Sequence, residues 1–129
     1  MTTAVAAHSA RRFWVVSLAV VASIFGATTV TAHSVLDEST PRNGSVVTVA
    51  PTSITLRFNE SVSNPRIVLR KARTPAVSGR TTLQTNGTVV AFRPGRAITD
   101  GEYSATWRVR SADGHYISGV VRFTVRRGG

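Results

Sequence analysis

Residues 102–110, E-Y-S-A-T-W-R-V-R, alternate between two kinds of side chain. Tyr103, Ala105, Trp107 and Val109 take one parity, and Ser104, Thr106, Arg108 and Arg110 take the other. Side chains along a strand repeat every second residue, so this stretch predicts a β-strand with a buried apolar face and an arginine-bearing face in water. The same parity runs through Ile54, Leu56 and Phe58 in S-I-T-L-R-F, and through Val121, Phe123 and Val125 in V-V-R-F-T-V. Shorter candidates are R-I-V-L-R at 66–70, T-T-L-Q at 81–84 and T-V-V-A-F at 88–92. Asn86-Gly87 reads as a hairpin turn between the last two. Further turn signals fall at Pro41-Arg42-Asn43-Gly44, Ala50-Pro51, Arg93-Pro94-Gly95 and Asp100-Gly101, and no run has a helical period. With the segment after His33, about seven strands in one all-β Greek-key sandwich are expected. Trp107 and Tyr103 are core residues on this reading, because their periodicity already accounts for them.

The first 32 residues have a different character. Arg11 and Arg12 precede an apolar run from Phe13 to about Phe25, and the small, polar G-A-T-T-V-T-A follows. That is the pattern of an export signal, with Val30 and Ala32 placed for cleavage before His33. The competing reading is an uncleaved anchor, since Phe13 to Val30 is 18 residues, near the shortest bilayer span. The Ser, Gly and Thr content and the small-residue exit favour cleavage. The Arg11-Arg12 pair leaves twin-arginine and ordinary export both open. Residues 1–32 are therefore expected to be removed, leaving 33–129 as a single domain of 97 residues in the periplasm or cell-envelope space. There is no cysteine, so packing and strand pairing must stabilise it.

Without the signal the chain keeps 14 basic and 6 acidic residues. Nucleic acid, anionic lipid and polysaccharide are the partner classes such a charge suggests. However, Arg57, Arg108, Arg110, Arg122 and Arg126 fall at alternate strand positions, where a solvated face is expected, and no nucleic-acid-binding motif accompanies them. No nucleic-acid partner is expected, and the exported form reads as a soluble monomer. The Asn-x-Ser/Thr triplets at Asn43, Asn59 and Asn86 carry no functional weight, since Asn-Gly has its own turn chemistry in two of them.

The stretch S-A-D-G-H-Y-I-S-G, Ser111 to Gly119, admits two readings. Asp113-Gly114 between two alternating runs is a strong signal for a two-residue hairpin turn. His115 directly follows it and makes a metal site the alternative. If His33 is the first residue, its α-amine and imidazole form a bidentate nitrogen pair, His115 adds a third nitrogen and Asp113 an oxygen. Three nitrogens and a carboxylate oxygen suit tetragonal Cu(II), which also heads the divalent affinity order; zinc more often takes a tetrahedral set, and nickel is the closer competitor. Only three histidines exist and His8 leaves with the signal, so the two that remain are both accounted for.

At these residues the sequence resembles the CopC family of periplasmic copper-binding, copper resistance proteins. The resemblance runs through A-H-S-V-L-D-E-S-T-P-R-N-G-S, A-P-T-S-I-T-L-R-F-N-E and G-E-Y-S-A-T-W-R-V-R-S-A-D-G-H-Y-I-S-G-V-V-R-F-T-V. It implies an immunoglobulin-like or Greek-key β-sandwich and one Cu(II) per chain held by His33, Asp113 and His115. Glu60, in F-N-E, matches an acidic position near the site in some members. Some members also bind Cu(I) through a Met-rich loop, but the only methionine here is Met1, so no Cu(I) site is expected. The implied role is to sequester Cu(II) or hand it to a CopD-like inner-membrane partner, with no enzymatic activity. Two alternatives stand beside it. One is a copper oxidase of the polysaccharide-oxygenase type, against which Asp113 argues by filling a position that oxygen chemistry needs open. The other is a metal-free sandwich used for adhesion or structure.

Overall fold

The computed structural model describes residues 34–128; the segment read as an export signal, His33 and Gly129 lie outside the described residues. Nine strands are present among the described residues: β1 Leu36–Thr40, β2 Ser45–Val47, β3 Ile54–Phe58, β4 Ser63–Lys71, β5 Ala76–Val77, β6 Gly79–Gln84, β7 Val89–Pro94, β8 Gly101–Arg110 and β9 Tyr116–Val125. They form a four-stranded sheet ordered β1-β3-β7-β6 and a five-stranded sheet ordered β2-β9-β8-β4-β5. β2 runs parallel to β9. Every other pairing is antiparallel, which with these orders is the immunoglobulin-like arrangement.

All ten side chains assigned to the interior by parity on β3, β8 and β9 are buried. They meet Ile67 and Leu69 of β4 and Val90 and Phe92 of β7 in one core between the sheets. Tyr103 stacks on Phe123 with ring centroids 5.4 Å apart. Its hydroxyl donates to the Thr99 carbonyl at 2.9 Å and accepts from the Thr99 N–H at 3.2 Å. This anchors the start of β8 to the loop before it, as tyrosine corners do in this fold class.

Asn86 and Gly87 both have positive φ, +54° and +78°, and Thr88 N–H donates to the Thr85 carbonyl. The hairpin turn expected there is present, with the backbone that Asn-Gly favours. The strand count is higher than the seven expected because β2 and β5 have three and two residues, too short to show a period. β9 also starts four residues earlier than V-V-R-F-T-V suggested, and the reason lies at Gly119. A Cβ there would come within 2.5 Å of the Trp107 ring, which packs edge-on against Phe58 on its other contact, centroids 5.4 Å apart. The Trp107 Nε1–H is buried and has no hydrogen-bond partner among the described residues, so packing holds the ring.

Gly119→Ala is therefore expected to destabilise the domain by about 1–3 kcal/mol, the range for overfilling a packed core. Urea unfolding measures it; an unchanged midpoint would mean that the indole is not seated against β9.

Candidate metal centre

β8 and β9 pair up to Arg110 opposite Tyr116, and residues 111–115 join them. The connection is thus a five-residue loop instead of the two-residue Asp-Gly turn. Ser111 N–H donates to the His115 carbonyl at 2.7 Å, and Gly114 N–H donates to the Ser111 carbonyl at 2.9 Å. The Asp-Gly pair still makes a reversal, nested inside the larger loop. Gly114 has φ +91°, a backbone conformation that an L side chain strains to adopt. Arg110 Nε donates to the Gly114 carbonyl at 3.0 Å and braces the loop from the end of β8.

Asp113 uses both oxygens on His115. One accepts the His115 backbone N–H at 3.0 Å, a carboxylate turn of the kind Asp makes two residues ahead. The other lies 3.1 Å from His115 Nδ1. The Asp113 side chain is 10% exposed and that of His115 is 81% exposed, so a packed carboxylate holds an imidazole that faces solvent. The 3.1 Å separation is of hydrogen-bond length, so the carboxylate orients the ring through Nδ1.

The start of the described chain is fastened to the same loop. Ser34, 3% exposed, donates its backbone N–H to Ser111 Oγ at 3.0 Å, and its own hydroxyl accepts the Ala112 N–H at 3.4 Å. The Ser34 hydroxyl also reaches the Ser61 carbonyl at 3.5 Å. Next to it, Val35 N–H donates to Asn59 Oδ1 at 2.6 Å, and Asn59 N–H donates back to the Val35 carbonyl at 3.1 Å. Residues 34–35, the connection from β3 to β4 and the 111–115 loop therefore meet at one end of the sandwich.

Of the site residues expected from sequence, Asp113 and His115 are brought together. Half-buried Glu60 lies between Asn59 and Ser61, which are hydrogen-bonded to Val35 and Ser34. Among the described residues no three His, Cys, Asp or Glu side chains are grouped to hold a metal, so Glu60 does not make the Asp113–His115 pair a trio. His33 lies outside the described residues. Sequence reasoning missed the positioning residues Ser34, Ser111, Asn59 and Arg110. Polar residues at strand ends carry no signal of which loops they will join, because those partners are set by tertiary approach.

The class defined by this geometry is a small immunoglobulin-like sandwich that presents a carboxylate–imidazole pair on its β8–β9 loop, beside residues 34–35. Residues 36–126 match the CopC domain, and the chain belongs to the CopC family. Among solved structures it is similar to PcoC, a methionine-rich copper resistance protein from Escherichia coli, at 28% identity and TM-score 0.67, covering 74% of this chain and 100% of that one. It is also similar to CopC from Methylosinus trichosporium OB3b, at 25% identity and TM-score 0.69, covering 75% of this chain and 97% of that one. No curated protein matches the chain. The Escherichia coli relative is methionine-rich, whereas this chain has one methionine, Met1.

Ser111→Ala removes the acceptor of a buried N–H, a loss of about 1–3 kcal/mol in urea unfolding. Exchange of the Ser34 amide with solvent should accelerate in the same variant. A Ser34 amide that stays protected would show that Ser111 does not hold residue 34.

Proposed function

We propose that the chain is an exported Cu(II)-binding protein that sequesters copper, or carries it to a membrane partner, in copper homeostasis or resistance. In this reading residues 1–32 are removed and 33–129 act as a monomeric domain in the periplasm or cell-envelope space. His33, through amine and imidazole, together with Asp113 and His115, holds one Cu(II). Glu60 supplies negative charge at the same end of the sandwich. The recipient is a CopD-like inner-membrane protein, on the strength of the family alone.

One observation carries the proposal: the 3.0 Å bond from Ser34 N–H to Ser111 Oγ. His33 is peptide-bonded to Ser34, and adjacent Cα atoms are about 3.8 Å apart, so the tie supports a site shared by the chain start and the Asp113–His115 loop. The donor chemistry supports copper in particular, because nitrogen ligands with one carboxylate favour a tetragonal ion. Membership of a family that includes a copper resistance protein supports the same cargo. A filled ligand set with an oxygen donor resists reduction to Cu(I), and no methionine after Met1 is present to capture the reduced ion. That chemistry fits a carrier better than an oxidase.

Intact mass of the exported form should correspond to a chain beginning at His33. A Cu(II) titration should then give one tight site, weakened at least about a hundredfold in His33→Ala or His115→Ala, and about 10–100-fold in Asp113→Asn. Binding should release protons and weaken as pH falls, because amine and imidazole ligate only when deprotonated. Equal affinity in His115→Ala would overturn the site. Sustained peroxide production from the copper-loaded protein with ascorbate and oxygen, abolished in His33→Ala, would replace the carrier reading with an oxidase.

A further inference from the structure

The two sheets carry very different charge. The five strands of the β2-β9-β8-β4-β5 sheet contain six basic residues and one acidic residue, Glu102. The four strands of the other sheet contain three basic residues and two acidic ones. Arg66, Arg70, Arg108, Arg110 and Arg122 are all exposed and alternate with buried residues, so they share the outer face of the larger sheet.

Register places them in rows. Arg70 and Arg122 both stand opposite Ser104, one on each side. Two residues further along β8, toward the loop, Thr106 lies between Val68 and Val120. In the next row Arg66 stands directly opposite Arg108, and Arg110 then faces Tyr116. With strands about 4.8 Å apart, these cations occupy a patch roughly 10 Å wide and 20 Å long. Like charges directly opposed across a ladder destabilise it, unless an anion sits between them. Glu102, also exposed and of the same parity on β8, stands one row from Arg70 and Arg122, so across this face a single strand carboxylate accompanies the five arginines. Arg108 instead lies over the Tyr116 ring, 4.0 Å from its centroid, and Arg110 holds the Gly114 carbonyl.

We infer that this face docks on an anionic phospholipid surface. Guanidinium groups bind phosphate oxygens in pairs, and a fluid layer of singly charged headgroups adjusts to cations set at strand spacing. Tyr116, 49% exposed, and Val120, 37% exposed, add a shallow aromatic and apolar element suited to headgroup depth. Two such side chains are too few for the apolar centre of a stable protein–protein interface, which sets an acidic protein second. Arg110 lies on this face and bonds the Gly114 carbonyl of the 111–115 loop, so docking would hold that loop near the bilayer. The inference rests on the charge of the sheet and does not depend on copper binding.

The test is co-sedimentation of the metal-free full chain with vesicles of phosphatidylcholine containing one quarter phosphatidylglycerol, referred to pure phosphatidylcholine vesicles so that apolar binding cancels. The anionic preference should fall roughly a hundredfold in the triple variant Arg66→Gln, Arg70→Gln, Arg122→Gln, at about fivefold per charge. It should also fall with added salt. The variant Arg57→Gln, Arg80→Gln, Arg93→Gln removes the same charge from the other sheet and should keep most of the preference. Equal loss in both triples would reduce the effect to net charge and overturn the inference. So would the absence of any anionic preference in the unmodified chain. Binding of polyglutamate through Arg66, Arg70 and Arg122 without vesicle preference would overturn it in favour of an acidic protein. Unchanged urea midpoints show that both triples remain folded.

Discussion

Strand β8 is paired along both edges, to β4 and to β9, and that double pairing leaves it no freedom of register. A slip by one residue would carry Tyr103, Ala105, Trp107 and Val109 out of the core and drive Arg108 and Arg110 into it. Other features follow from this parity. The buried set fixes the distance between the sheets, the exposed set charges the outer face, and the end of the strand decides where the 111–115 loop emerges. Because Arg110 is the last outward residue of β8, its guanidinium is placed to brace the Gly114 carbonyl.

The loop in turn depends on hydrogen bonds that reach far along the chain. Ser34 and Ser111 are 77 residues apart, yet their bond is buried and joins the first described residue to the β8–β9 connection. Breaking it would leave two buried polar groups without partners, so Ser34 is held there by desolvation as much as by attraction. Asn59 repeats the device one residue on by exchanging bonds with Val35.

The strands were legible in the sequence wherever a run was long enough to show parity, and all ten inward positions assigned that way are buried. β2 and β5 were not legible because neighbours, and not period, make them strands. The beginning of β9 was hidden by Gly119, which looks like a strand breaker until the Trp107 ring is seen to need the space. The Asp113–His115 pair could be read from spacing, since an aspartate two residues before a histidine with glycine between them is built to fold back. The length of the surrounding loop could not, because it depends on the Ser111–His115 backbone bond. Nor could the meeting of three separate segments be read, since polar residues at strand ends do not declare their partners. The charge asymmetry between the sheets likewise emerges only once strand order is known.

The proposed site shares one Cu(II) between His33 and the 111–115 loop. Electron paramagnetic resonance of the Cu(II)-loaded exported protein, with isotopically labelled histidine, tests it most directly. A shared site gives a tetragonal spectrum with nitrogen couplings from two imidazoles and one amine, one imidazole coupling disappearing in His115→Ala. A spectrum that shows a single imidazole and is unaltered by His115→Ala would contradict it.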